Sequence, residues 1–341
     1  MCLYPRLMSN PKYRANKKNG GVIPPCLDNR VKYVPIGCGV CIECRGQKAR
    51  NWQVRLLEDI KENRNGKFVT LTFSTESIKK LIKQDDERTW KKAKVDEETG
   101  EVIKDKSLAD LRGYDLDNGL VTVAVRYFLE RWRKEHKKSL RHWLISELGQ
   151  NGEEHVHLHG IVWTDDVEKI RRIWQYGFVW VGYEKNSVKG GIENYVNEKT
   201  VNYITKYVTK IDPLHKAYMP VILCSPGIGK NYIGTLNSMS NIYRDENTNE
   251  TYKTRSGHKV GLPIYWRNKL YTETEREKLW IQKLDKEERW VCGERVDISK
   301  GEEGYKRLLE WYRTINKRLG HIDGYKDWDR ENYEKQRRDI S

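Results

Sequence analysis

Hydrophobic residues recur along the chain with two spacings, one typical of strands and one typical of helices. Residues 68–73 are rich in β-branched and aromatic side chains, which favours a β-strand. Residues 141–148, with the apolar centre Trp143-Leu144-Ile145, and residues 155–163 are predicted to be two more strands. Apolar residues three or four positions apart predict a helix over residues 45–61 and another that opens at Asp117-Asn118-Gly119. The pattern therefore predicts a protein with both element types in its first half.

Further along the chain, the same criteria predict five more elements. They are a helix over 166–176, a strand over 178–181, a helix that follows Gly190-Gly191 and runs to about Lys210, and charged helices over 272–289 and 301–318.

The order of these elements indicates the fold class. From residue 68 to residue 210 the order is strand, helix, strand, strand, helix, strand, helix, and a turn at residues 149–152 joins the two middle strands. This order predicts an α+β fold, with a central antiparallel sheet and flanking helices on one face, and not a doubly wound parallel sheet. An N-terminal cysteine-rich segment and a helical C-terminal extension would surround it.

Changes in composition suggest three parts of the chain. Residues 1–60 form a cysteine-rich basic segment and a helix, residues 61–235 the α+β domain, and residues 236–341 a charged, largely helical extension. Residues 83–119 are polar and charged, and we expect them to be an insertion within the second part.

The charge balance points to a polyanionic partner. Lys and Arg total 64 against 49 Asp and Glu, which gives a formal net charge of +15, and the chain contains 12 Trp and 20 Tyr. A positive excess together with many aromatic rings favours a nucleic acid as partner, and solubility alone is the alternative. No apolar run approaches the length of a membrane span, and no apolar signal region follows Met1, so we expect neither membrane insertion nor secretion.

Five of the seven cysteines lie in the first 44 residues. Cys38, Cys41 and Cys44 form a C-x2-C-x2-C motif, in which the two-residue spacing lets neighbouring thiolates face one tetrahedral ion. A fourth ligand would come from Cys2 or Cys26. A structural zinc site and a set of packed thiols are both compatible with this pattern.

Three histidines occupy alternate positions of the predicted strand over 155–163, namely His155, His157 and His159. Side chains alternate along a strand, so the three imidazoles share one face, and two of them can bind one divalent ion. Glu147, at the end of the preceding strand, would add a carboxylate and leave open positions for a phosphate oxygen on Mg²⁺ or Mn²⁺. A turn-capping role for Glu147 and an ordinary surface strand are the alternatives.

Residues 203–210 repeat the tetrapeptide Tyr-x-Thr-Lys. Residues four apart lie on one face of a helix, about 6 Å apart along its axis, so Tyr203 and Tyr207 should point the same way. Lys206 and Lys210 each follow a tyrosine by three positions. An amphipathic helix with packed tyrosines and solvated lysines is the structural alternative.

Together these features suit phosphodiester chemistry. A bound cation makes the phosphorus more electrophilic, and a lysine favours the phenolate over the phenol. Attack by tyrosine would then give a covalent phosphotyrosine and a free sugar hydroxyl, and the strand can be rejoined without ATP. Two tyrosines allow two successive transfers.

At this point the sequence resembles a known family, the HUH endonucleases of the two-tyrosine type. More closely, it resembles the replication initiation proteins of the Microviridae, particularly the gokushovirus-like group. The matching segments are residues 1–5, 37–45, 68–73, 147–149, 157–160, 203–210 and 225–229. In this resemblance Gly160 follows the histidine pair, which favours His157 and His159 over His155 as the ligands.

The resemblance implies an RRM-like or ferredoxin-like five-stranded antiparallel sheet with the ion on its central strands. It implies nicking of the double-stranded viral replicative form at a single-stranded origin, a 5′-phosphotyrosine link and a 3′-hydroxyl that primes rolling-circle replication. A second tyrosine would cut and circularise the product. It also implies a host helicase and polymerase as partners and the host bacterial cytoplasm as the location.

Two other interpretations remain open from the residues. A plasmid initiator or a transposase of the same superfamily would use the same chemistry. A zinc-organised DNA-binding protein without catalysis would have inert tyrosines, and its cysteine segment alone would bind DNA.

Overall fold

Short strands and helices alternate throughout the computed structural model, which describes residues 2–149, 155–184 and 192–322. The strands are β1 (Arg6–Ser9), β2 (Tyr33–Ile36), β3 (Gly66–Leu71), β4 (Lys94–Val95), β5 (Val102–Ile103), β6 (Arg141–Leu148), β7 (Val156–Trp163), β8 (Val179–Trp180), β9 (Tyr183–Glu184), β10 (Ile192–Glu193), β11 (Ile222–Cys224), β12 (Thr251–Lys253), β13 (Lys259–Gly261), β14 (Glu288–Val291) and β15 (Glu294–Asp297). The helices are α1 (Ile42–Glu62), α2 (Thr75–Trp90), α3 (Gly113–His136), α4 (Val167–Ile173), α5 (Glu198–Thr209), α6 (Leu236–Met239), α7 (Ile264–Leu270), α8 (Glu273–Asp285) and α9 (Glu303–Arg318).

The described chain divides into two units. One contains the residues up to Glu58 and the described residues from Gly229 onward, and the other contains Asp59–Ile228. The three-part division inferred from composition stays a prediction.

The second unit is built on a five-stranded sheet with the order β11-β6-β7-β3-β8, in which every pair of neighbours is antiparallel. Its two longest strands, β6 and β7, pair from Leu148↔Val156 to Arg141↔Trp163. The predicted α+β class with a central antiparallel sheet is therefore confirmed.

One face of this sheet forms the main hydrophobic core. Alternate residues of β3, β6 and β7 are fully buried there against α2, α3 and α4. The sheet residues of this core include Val69, Leu71, Leu144, Leu148, Val156, Leu158 and Val162. The two-residue alternation of a strand places the intervening residues, including His157 and His159, on the opposite face.

Helix α5 covers part of that opposite face, where Tyr203 meets Phe68 and Tyr207 meets His159. Our expectation that the helices lie on one face is therefore wrong. The buried residues Val201, Ile204 and Val208 explain the placement, since they give α5 an apolar side of its own.

Other differences from the sequence prediction concern boundaries and weakly patterned elements. Helix α3 begins at Gly113, before the expected start at Asp117-Asn118-Gly119, and Gly119 lies inside it, where a Cβ would approach Leu111 Cδ1 to 2.7 Å. The sequence pattern predicts neither helix α2 nor strand β11. The turn expected at residues 149–152 falls largely, and the break at Gly190-Gly191 entirely, outside the described residues.

The first unit contains the extension expected at the C-terminal side, with helices α7, α8 and α9 and two hairpins, β12–β13 and β14–β15. Trp266 is fully buried in this unit, stacks on Tyr232 at 4.1 Å between ring centroids, and donates a hydrogen bond to the Gly229 carbonyl at 2.8 Å. This tryptophan is therefore a core residue, and its ring is not available to stack on nucleic-acid bases. None of the described helices is both long enough and apolar enough to cross a lipid bilayer.

Candidate active site

Three side chains of types that bind metal ions converge on the face of the sheet opposite the hydrophobic core. Glu147 on β6 lies directly opposite His157 on β7, and His159 follows two residues later on the same face. Glu147 Oε2 is 3.3 Å from His157 Nε2 and 3.0 Å from His159 Nε2. Strand pairing thus brings together the carboxylate and two imidazoles that the sequence analysis singled out, in a group that could hold one metal ion.

Hydrogen bonds on the far side of each imidazole fix the two rings. His159 Nδ1 lies 3.0 Å from Thr70 Oγ1, a residue that pairs with it from β3, and His157 Nδ1 lies 3.3 Å from the carbonyl oxygen of His155. Both Nε2 atoms are therefore directed at Glu147. Metal-binding histidines commonly have such a contact at their second nitrogen. His155 contributes its backbone, and its imidazole is not part of this group.

The site is half-buried, and its electrostatics favour the protonation states in which its side chains can bind a metal ion. Burial acts to raise the pKa of Glu147, but hydrogen bonds with His157, His159 and Lys210 outweigh it and place the pKa well below its usual range. Burial also lowers the pKa of His159, against the opposing effect of Glu147, which favours the neutral imidazole. A carboxylate anion and a neutral imidazole are the forms that bind metal ions.

The two tyrosines of α5 lie beside these ligands. The Tyr207 ring stacks on His159, with 4.5 Å between centroids and 18° between planes. Tyr207 donates a hydrogen bond of 2.7 Å to the Tyr203 oxygen, and the Tyr203 ring meets the Phe68 ring edge-on at 5.8 Å. Burial, and then this hydrogen bond, raise the pKa of Tyr207. Tyr203 is 49% exposed, so one phenol of the pair is open to a substrate.

The two lysines of the repeat have different surroundings. Lys210 forms an ion pair with Glu147 Oε1, and its Nζ lies 5.6 Å from the centre of the Tyr207 ring. Lys206 is exposed, and among the described residues no ion pair connects it to the cluster. The structure therefore brings Lys210 to the site and leaves Lys206 at its margin.

Local sequence explains why the helix and the strand hold these positions. Asn197 caps the start of α5 by accepting a hydrogen bond from the Thr200 backbone N–H at 3.0 Å. On β7, a Cβ on Gly160 would lie 2.0 Å from the Trp143 carbonyl oxygen and 2.8 Å from Leu144 Cα. Only glycine lets β7 approach β6 this closely next to the histidine pair.

Sequence reasoning missed Thr70, Phe68 and Asn194. Thr70 and Phe68 occupy alternate positions of the predicted strand over 68–73, so a face assignment would have placed both beside the histidines. Asn194 bonds both backbone groups of Phe68, accepting from its N–H at 2.9 Å and donating to its carbonyl at 2.7 Å. No local sequence signal identifies that role.

A second candidate metal centre lies in the first unit. The Sγ atoms of Cys2, Cys38, Cys41 and Cys44 all lie within 4.8 Å of one another, so this cluster could hold a metal ion such as Zn²⁺. Cys2 and not Cys26 completes the group. Cys26 instead donates a hydrogen bond to the Asp28 carbonyl at 3.1 Å.

The fold and the first of these sites define an α+β protein with a carboxylate–histidine centre on its sheet and a tyrosine pair above it. Residues 114–212 match a family described as replication-associated proteins. The matched part is less than a third of the chain, and it includes every residue of the centre on β6 and β7 as well as both tyrosines. This match supports a role as a replication initiator. No curated protein and no solved structure gives a significant match to the chain.

Proposed function

We propose that the protein initiates rolling-circle replication as a metal-dependent, site-specific endonuclease and strand transferase for single-stranded DNA. The observation that supports this best is the stacking of Tyr207 on His159, with Tyr203 hydrogen-bonded to Tyr207. It means that a phosphate next to the three-ligand group is also next to two phenols. Tyrosines that only stabilised the fold would not require a position next to the three-ligand group.

In the proposed reaction a tyrosine oxygen forms a bond to phosphorus as the bond between phosphorus and the 3′ oxygen breaks. The phenolic proton leaves to solvent, and the departing 3′ oxygen takes up a proton, so nothing is consumed. The products are a 5′-phosphotyrosine and a free 3′-hydroxyl, which would serve a host polymerase as a primer. Attack by a 3′-hydroxyl on the phosphotyrosine reverses the step and rejoins the strand.

Glu147, His157 and His159 would hold the ion in this proposal. One carboxylate oxygen with two imidazole nitrogens suits Mn²⁺ better than Mg²⁺, which prefers oxygen ligands and water. When bound, the ion supplies positive charge to the phosphate oxygens. The chain's own contribution is the orientation of both rings through Thr70 and the backbone of His155.

Lys210 contributes a second positive charge next to Glu147 and Tyr207. Positive charge at this point stabilises a phenolate and the negative charge that develops on the phosphate. A role for Lys206 would require the DNA backbone to bring a phosphate to it, since its side chain is exposed.

The paired phenols suit two successive transfers. Two hydroxyls that share a 2.7 Å hydrogen bond do not readily ionise together, so one remains neutral and donates to the other. After the first tyrosine is linked to DNA, the second is still free to cut again and release a closed product. A plasmid initiator or a transposase of the two-tyrosine type would share this chemistry.

The test is covalent capture of single-stranded DNA. The full chain is incubated with Mn²⁺ and a randomised single-stranded oligonucleotide pool that has a dye at its 3′ end, and the products are separated on a denaturing gel. We expect a dye-labelled protein band that EDTA abolishes. The variant with both Tyr203→Phe and Tyr207→Phe should lose this band, and the control Tyr195→Phe, a 64% exposed tyrosine, should retain it.

Two outcomes would overturn the proposal. An adduct that persists in the double phenylalanine variant would identify another nucleophile. Binding of the pool without any adduct, in the wild-type protein with Mn²⁺ or Mg²⁺, would favour the zinc-organised DNA-binding protein without catalysis.

A further inference from the structure

The four-cysteine cluster of the first unit is assembled by a β-hairpin. Strands β1 and β2 pair in the register Arg6↔Ile36 to Ser9↔Tyr33. Cys2 precedes β1 and Cys38 follows β2, so this pairing brings the two cysteines to the same end of the hairpin. Cys41 and Cys44 follow at the start of α1, and Gly39, with φ +81°, makes the turn between them and Cys38.

The sulfur positions correspond to a tetrahedral metal site. The Sγ atoms are 3.9 Å apart for Cys2 and Cys41 and 4.0 Å apart for Cys38 and Cys44. Four thiolates at about 2.3 Å from a zinc ion would lie about 3.8 Å from one another. Disulfide partners lie at about 2 Å, and none of the described cysteines forms a disulfide.

Backbone amides point at these sulfurs, as they do where thiolates need stabilisation. The N–H groups of Cys38 and Tyr4 donate to Cys2 Sγ at 3.2 and 3.3 Å, and the N–H of Cys41 donates to Cys38 Sγ at 3.3 Å. A Cβ on Gly37 would lie 3.0 Å from Cys44 Sγ, so a larger residue would crowd the cluster. These contacts favour bound thiolates over four packed thiols.

The C-terminal elements β14 and α9, which are distant in sequence, pack against this cluster. Leu3, Cys41 and Val291 are fully buried together, and side chains of α9 surround them, namely Tyr305, Leu308, Leu309 and Tyr312. Asn316 of α9 is fully buried and accepts a hydrogen bond of 2.8 Å from the N–H of Ile42, the first residue of α1. Arg313 Nε donates to the Leu3 carbonyl at 3.1 Å.

We propose that Cys2, Cys38, Cys41 and Cys44 bind one zinc ion, and that this ion holds hairpin β14–β15 and helix α9 on the N-terminal segment. The role is structural, since four thiolates leave no open position for a substrate. Because metal binding and packing stabilise the same arrangement, each strengthens the other.

Metal analysis of the purified full chain tests the first half of this proposal. We expect one zinc ion per chain in the wild type and in Cys26→Ser, a matched control outside the cluster, and none in Cys38→Ser. Iron in place of zinc, no bound metal in the wild type, or full zinc content in Cys38→Ser would overturn the site.

Hydrogen exchange of the wild-type chain tests the second half without relying on a variant that fails to fold. Removal of zinc by a chelator should raise exchange of residues 288–297 and 303–318 at least about ten-fold, and added zinc should reverse it. Helices α2 and α3 of the second unit, which supply none of the proposed metal ligands, serve as the internal control and should not change. Unchanged protection of α9 without zinc would refute the coupling.

If zinc binding stabilises the packing of α9, then the packing of α9 must also strengthen zinc binding, and this effect can be measured independently. The substitution Asn316→Ala removes the contact between α9 and α1 but no sulfur ligand, and we expect it to raise the dissociation constant for zinc about five-fold. An unchanged zinc affinity would contradict the coupling and leave the metal site itself intact.

Discussion

At the scale of single residues, His159 is the point where the site is organised. Its ring contacts Thr70 through Nδ1, Glu147 through Nε2 and the Tyr207 ring through its face. One imidazole therefore connects the metal-type ligands, the strand that orients them and the helix with the phenols. In the proposed reaction, the orientation of this ring would matter as much as the presence of an imidazole.

Replacing Thr70 tests this orientation. Thr70→Val keeps the shape of the side chain and removes the oxygen that faces His159 Nδ1, so the ring loses its fixed direction. We expect the Mn²⁺ concentration for half-maximal cleavage to rise about 10- to 100-fold, as for other residues that support metal ligands. A titration of cleavage against Mn²⁺ measures the shift.

The control is Thr72→Val on the adjoining segment, which removes a hydrogen bond to the Phe178 carbonyl and does not touch His159. If both variants require the same Mn²⁺ concentration as the wild type, then Thr70 has no role in positioning His159.

Much of this site follows from sequence alone, since alternation along one strand places His157 and His159 on a common face. Two features do not follow from it. The contact of Thr70 with His159 depends on the register between β3 and β7, and the separation of Lys206 from Lys210 depends on how α5 is rotated against the sheet. Register and rotation are tertiary properties that one segment does not encode.

At the scale of elements, the close approach of β6 and β7 sets the distance between Glu147 and the histidines. The sequence predicts β6 with its observed bounds because an apolar centre at residues 143–145 is followed by a turn signal at residues 149–152. By contrast, β11 has only three residues, and the apolar side of α2 is narrow, with Ile78 and Leu81 as its buried hydrophobic residues. Elements that are short or have few apolar residues depend on their neighbours for stability, so their own sequence predicts them poorly.

Gly160 provides a test of this element pair. In Gly160→Ala the added methyl would overlap the Trp143 carbonyl oxygen, so the strands must separate. We expect the free energy of unfolding to fall by at least about 2 kcal/mol, the cost of forcing atoms into a filled core. Urea unfolding followed by circular dichroism measures it.

Gly261→Ala is the matched comparison, because Gly261 also lies in a strand and a Cβ there meets no atom within 4 Å. Equal stability of the two alanine variants would show that β6 and β7 tolerate a side chain between them.

At the scale of the whole molecule, the net charge of +15 predicts DNA binding that is separable from cleavage. If the protein contacts about five phosphates, its dissociation constant for single-stranded DNA should rise about 100-fold between roughly 50 and 200 mM salt. His157→Ala should abolish cleavage and leave this salt dependence unchanged, because it removes a proposed metal ligand and no net positive charge. Fluorescence anisotropy with a labelled oligonucleotide measures the dissociation constant of the wild type and of the variant at each salt concentration. A much weaker salt dependence in His157→Ala would show that binding and catalysis are not separable.

The central claim is that Tyr203 and Tyr207 are the nucleophiles, and mapping of the DNA-linked residue tests it most directly. Trypsin cleaves after Lys199, Lys206 and Lys210, so the two tyrosines fall in separate peptides, residues 200–206 and 207–210. After nuclease trimming of the covalent adduct, mass spectrometry should find a nucleotide phosphate on one or both of these peptides. A nucleotide phosphate on any other peptide, with both of these unmodified, would contradict the account.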